Sequence, residues 1–255
     1  MSPPVVSLIP GLVLACSTLV LLANPKRRPN QAAALALLQF SLWIAAREVS
    51  IRSQDGLPWF RLSVSIGAFA PLLIWILKAS LESSSWTEIL KRCWLLIALT
   101  VPIATVPWTE WFIPSHSTRE HRIYGGGYTA YVGSLLVIYS IQTLFAVRYL
   151  RRSSGSLRLE FQVISLCGSL LGLTVLTLMA VDRVFEDVVP PHASLALVIL
   201  YSGVLTFSLC TNRIFDAQYL FRFSARWVIL TGAVSGVAFG VYFTLSPFLP
   251  LWVVF

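Results

Sequence analysis

Apolar residues in this chain do not alternate with polar ones or fall on one helical stripe. They come in long unbroken runs, separated by short polar stretches, at 5–23, 31–46, 60–81, 90–108, 128–149, 159–181, 193–211 and 228–246. About twenty apolar residues cover the hydrocarbon of a bilayer when helical. A helix apolar on all sides needs an apolar surrounding. The pattern predicts an all-α, polytopic transmembrane bundle of about eight spans, seven plus one, with the second run the shortest.

Charge orients the runs. The N-terminal segment "MSPPVVSLIPGLVLACSTLVLLANPKRRPNQ" has no basic residue before its apolar core and a basic cluster after it. A cleaved secretory signal has the opposite order, so this is read as a true first span with its N-terminus outside. Under that alternation Arg47, Arg52, Arg61, Arg119, Arg122 and Arg183 lie outside, and the other 13 of the 19 Lys and Arg lie inside. Short inner loops are the ones that carry Lys and Arg, so span count and orientation support one another. The expected organisation is a seven-helix bundle over 1–213, a cytoplasmic basic-aromatic connector over 214–227, and an eighth helix with an outer C-terminus over 228–255.

Composition agrees with lipid as the solvent: 56% of the 255 residues are hydrophobic and only 12% charged, with a mean hydropathy of +0.77. Soluble domains carry about 25% charged residues. The formal charge of +8 sits in short loops, where it sets topology and meets anionic lipid, not nucleic acid. Cys16, Cys93, Cys167 and Cys210 fall in or at the ends of apolar runs with no C-x-x-C spacing. They are read as small buried hydrophobes.

The residue types that membrane chemistry requires are sparse. Lys26, Lys78 and Lys91 lie at inner ends of early helices, so no lysine is placed for a retinal Schiff base. His116, His121 and His192 fall in outer loops or at an outer helix end, away from any nucleophile at membrane depth. There is no phosphate-binding glycine loop and no H-E-x-x-H. The span interiors hold little polarity beyond Gln39, Gln142 and scattered Ser and Thr, which disfavours a proton or ion pathway. No catalytic residue and no cofactor is expected.

Polarity concentrates in the outer loops, above all "WTEWFIPSHSTREHRIYGGGY" over 108–128. If that loop is helical, His116 and Glu120 share a face at i,i+4. With His121 and His192 they form a candidate set for metal binding or pH sensing; the alternative is a solvated loop. Trp108, Trp111, Tyr128 and Tyr131 are the candidate lining of a ligand cavity. Gly125–Gly127 are expected to supply the turn into the next helix. Gly168 with Gly172, and Gly232, Gly236 and Gly240 at every fourth position, permit close helix approach, within this bundle or at a dimer face. In "TNRIFDAQYLFRFSARW" (211–227) the amphipathic pattern is blurred. A short interfacial turn fits it, with Arg213, Arg222 and Arg226 reaching lipid headgroups and Trp227 starting the last helix.

"ANPKRRPNQ" followed by an apolar helix ending "FSLWIAAREVS" resembles the N-terminal seven-transmembrane sensory region of bacterial sensor histidine kinases, through Asn24, Arg28, Asn30 and Trp43. "RYLRRSSGSLRLEFQVISLCGSLLG" is similar to that family's basic connection between helices five and six. The "NRIFDAQYLFRF" segment resembles its exit from helix seven. The likeness spans about residues 10–245 and implies a sensory input bundle in the bacterial inner membrane. The family's phosphoacceptor histidine and ATP-binding boxes have no counterpart in these residues.

Two functions are therefore expected, with a third behind them. The first is a non-catalytic sensor- or receptor-like bundle. The second is an accessory or structural subunit of a larger membrane complex. The third is a carrier of a neutral or lipid-like solute. Membrane lipids and other membrane proteins, or a second copy of the chain, are the expected partners.

Overall fold

The computed structural model describes residues 3–53, 55–82, 85–114, 117, 124–152, 162–184 and 193–211. Every regular element among them is helical, and all belong to one compact unit, Met1–Ile214. In chain order they are α1 (Pro3–Ala23), α2 (Arg28–Arg52), α3 (Leu57–Gly67), α4 (Ala70–Glu82), α5 (Trp86–Thr105) with a 3₁₀ turn (Val106–Trp108), α6 (Gly126–Arg152), a π-helical turn (Gln162–Leu166) leading into α7 (Cys167–Val184), and α8 (Ala193–Thr211).

Four paths are long and apolar enough to cross a membrane: Arg28–Arg52, Leu57–Glu82, Trp86–Trp108 and Gly126–Arg151. The apolar helices Leu8–Ala23, Ile164–Ala180 and Ala196–Phe207 are shorter. The connector residues Arg213, Arg222, Arg226 and Trp227, the glycines Gly232, Gly236 and Gly240, and the last apolar run lie outside the described residues.

The second apolar run is corrected most. Expected at 31–46 and shortest, it is a 25-residue helix. Hydropathy ended it at Arg47, but the backbone continues through "REVSIR", where Arg52 pairs with Glu48 at 3.3 Å across one turn. A charged turn extends a helix as well as an apolar one does. At its other end Pro29 occupies the first turn, where a missing N–H costs nothing.

Helix α2 is the hub, packing on α1, α3, α4 and α8, while α6 packs on α7. Polar side chains from both helices reinforce the contact of α2 with α1. Ser17 donates to the Ala34 carbonyl at 2.7 Å, Asn30 to Val20 at 3.0 Å and Ser41 to Pro10 at 2.8 Å. Asn30 and Arg28 thereby acquire local roles. Arg28 stacks over Trp86 and binds Gln31, which also accepts from the Trp86 indole at 2.9 Å.

The third apolar run, expected as one span, is broken at Ala68–Phe69. Pro71 has no N–H to give the carbonyl four residues back, and its ring crowds that carbonyl. Neighbouring helices supply donors at the break. Tyr131 donates to Val64 at 2.8 Å, Gln39 to Ile66 at 2.7 Å and Gln142 to Pro71 at 2.7 Å. Irregular backbone at membrane depth is tolerated only where it is covered in this way.

Candidate functional site

Two clusters of buried side chains fill the bundle. One joins α1, α2, α4 and α8. The other gathers Val64, Phe112, Ile113 and the tyrosines of α6. Where they meet lies a cavity of about 320 Å³, at the small end of the roughly 300–1,000 Å³ that ligand sites occupy.

One face of α2 forms its first wall, through Gln39, Trp43, Arg47 and Ser50, which recur at the i, i+4, i+8, i+11 spacing of a single helical stripe. The second wall is α6, through Tyr128, Tyr131, Leu135 and Tyr139, again on one stripe. Gly67 and Ala70 bring the α3–α4 break to the edge, and Gly168 and Gly172 bring in α7.

The two glycines of α7 let tyrosines approach its backbone. A side-chain carbon at Gly168 would lie 2.8 Å from the Tyr201 hydroxyl, and one at Gly172 would collide with the ring of Tyr139. Both contacts fall inside the bundle.

Polar groups around the cavity are unevenly satisfied. Tyr128 donates to the Met179 carbonyl at 3.4 Å, Tyr131 to Val64 at 2.8 Å and, nearby on α8, Tyr201 to Ile164 at 3.0 Å. Tyr139 is as buried as these, at 4% exposure, yet its hydroxyl has no hydrogen-bond partner among the described residues. Gln39 commits its amide nitrogen to Ile66, which fixes the orientation of the amide, and its Oε1 is left without a partner. Ser50 Oγ is likewise unpartnered. A fully buried polar group in that state costs about 1–3 kcal/mol, and both Gln39 and Ser50 belong to the lining of this one cavity. Arg47 stacks over Trp43 at 5.7 Å and is the only charged residue on the lining among the described residues.

Of the candidate cavity residues, Tyr128 and Tyr131 line it, whereas Trp108 and Trp111 do not and are 50% and 59% exposed. The loop after α5 turns back and inserts Phe112 and Ile113 instead, both fully buried. The Phe112 ring meets Tyr128 at 5.4 Å and Tyr131 edge-on at 5.6 Å between centroids. Arg61 holds this loop by donating to the Ile113 carbonyl at 2.6 Å. The glycines that follow close against it, Gly125 N–H reaching Phe112 O at 2.9 Å and Gly127 N–H reaching Trp111 O at 3.0 Å.

Tyr139, Arg47 and Phe112 were not singled out by sequence reasoning. The tyrosines at 128, 131 and 139 carried a usable signal, since three on one helical stripe mark a common wall. The metal or pH set His116, Glu120, His121 and His192 lies outside the described residues. Among the described residues no group of three or more His, Cys, Asp or Glu comes together.

A second aromatic site lies away from the cavity. Lys78 of α4 places its ammonium 4.5 Å from the Trp75 ring centre and 5.8 Å from those of Phe145 and Tyr149, tying α4 to α6. Comparison of the chain with family models, with curated proteins and with solved structures finds no match.

Proposed function

We propose that the protein is a non-catalytic, sensor- or receptor-like membrane bundle that binds a small molecule in the cavity between α2, α6 and α7. The observation that carries this reading is the cavity itself, bounded by a broken helix and bordered by unpartnered buried polar groups. A ligand there touches α2, α6, α7 and both sides of the α3–α4 break, so its binding energy bears on how five helices pack. A ligand shifts an equilibrium only by its differential affinity for two arrangements, and a discontinuous helix is an element with two arrangements to offer.

The reading includes eight spans, an outside N-terminus and residence in a bacterial inner membrane. Charge alternation supports the orientation. Single cysteines at Lys26→Cys and Ser53→Cys test it with a membrane-impermeant maleimide on intact cells. Labelling at position 53 and protection at 26 is the expected result, and the reverse pattern overturns the orientation.

The receptor reading is tested by extraction from native membrane in mild detergent, followed by mass spectrometry of retained proteins and small molecules. A retained small molecule together with a signalling partner is expected. Recovery only within a large assembly, with the cavity empty, favours an accessory subunit instead.

A further inference from the structure

We propose that the Tyr139 hydroxyl and Gln39 Oε1 are the polar contacts of this cavity, and that its ligand is a small uncharged alcohol or phenol with an apolar body. This rests on the receptor reading and specifies the ligand for it.

The argument begins with what Tyr139 lacks. Its neighbours Tyr128, Tyr131 and Tyr201 each donate to a backbone carbonyl, as buried tyrosines do. Tyr139 borders the cavity, and no protein group among the described residues receives its proton. Its ring is held against α7 because Gly172 leaves room for it, so the hydroxyl is positioned without any bond of its own. Gln39 on the α2 wall is fixed by its donation to Ile66, and its buried Oε1 is an acceptor with no donor.

A tyrosine hydroxyl donates readily, whereas Oε1 only accepts. One chemical group that both accepts and donates is a hydroxyl. The remaining lining decides charge and body. Among the described residues no Asp or Glu borders the cavity, so a cation finds no counter-ion among them. Trp43, Phe40, Leu135 and Ile74 offer apolar surface to a ring or short chain. The volume of about 320 Å³ lies at the small end of ligand sites, which suits a single substituted ring.

The test is isothermal titration calorimetry on the full chain in lipid nanodiscs, with 4-methylphenol, its methyl ether and the cation tyramine. The phenol is expected to bind at least about tenfold more tightly than the ether, the worth of one neutral hydrogen bond, and tyramine more weakly than the phenol. Tyr139→Phe keeps the ring in its seat. It is expected to weaken phenol binding about tenfold with an unchanged melting temperature, since no protein bond is lost. Tyr201→Phe, outside the lining, breaks the bond to Ile164 and is expected to lower the melting temperature while leaving phenol affinity unchanged.

Equal affinity for phenol and ether, or unchanged phenol binding in Tyr139→Phe, overturns the assignment but leaves a ligand-binding cavity standing. No binding by any of the three overturns the ligand class, while the native-membrane extraction still decides the receptor reading by itself.

Discussion

The ring of Tyr139 lies against the α7 backbone at Gly172, in the space that any side chain there would occupy. The pair joins α6 to α7 beside the cavity, and α7 approaches because one position has no Cβ. Small residues serve membrane helices in this way because lipid is as apolar as leucine, so close packing has to drive association.

Gly172→Val therefore forces the tyrosine out of its seat. A drop of about 2 kcal/mol in stability is expected, within the range for overpacking. Thermal melting in detergent reads it, and Tyr139→Ala in the same chain recovers part of the loss as a coupled pair. Independent, additive losses from the two changes speak against the contact.

The α3–α4 break makes a second prediction. Gln39→Leu removes the donor to Ile66 and is expected to cost about 1 kcal/mol, as interhelical bonds in membranes do. The more specific readout is amide exchange, which should accelerate in peptides covering Ala68 and Phe69 and stay the same in α1. Uniform acceleration along the chain indicates general destabilisation instead.

At the Lys78 site, Lys78→Met keeps the alkyl stem packed and removes the charge over Trp75, Phe145 and Tyr149. A loss of about 1 kcal/mol is expected from the missing cation–π attraction, while Lys78→Arg retains most of it. Equal melting temperatures for the Met variant and the parent chain contradict this role.

The loop after α5 separates two neighbouring aromatics. Phe112→Ala empties a fully buried site and should cost about 3 kcal/mol. Trp111→Ala, at an exposed position, should stay within about 0.5 kcal/mol. Parallel melts of the two variants check the order, and a larger effect at Trp111 reverses the assignment of the loop's buried residue.

Much of the bundle was legible because its signal is local. Apolar runs marked each described helix, since the cost of exposing peptide groups to lipid acts on every residue of a span. Boundaries were less legible where that cost is absent. The end of α2 past Arg47 shows no hydropathy but keeps its backbone bonds and the Glu48–Arg52 pair. In the candidate site, Tyr128 and Tyr131 stood out as interfacial aromatics. Trp108 and Trp111 stood out for the same reason, yet they face away from the cavity. Residue type locates a side chain near the membrane surface, but not on the inner or outer side of a loop.

What the sequence by itself determined is the all-helical membrane character, through the length and apolarity of its runs. The run at 60–81 contains Gly67 and Pro71, yet by itself it reads as one unbroken span. The tertiary structure decided what those residues are used for. Hydrogen bonds from Gln39, Tyr131 and Gln142 to the broken helix join residues 27, 67 and 71 positions apart, and the seat of Tyr139 on Gly172 depends on two helices meeting at one height. Such relations arise only when separate helices fill the same space. That is why an ordinary glutamine and an ordinary tyrosine come, in the folded bundle, to border a cavity with polar atoms that have no partner among the described residues.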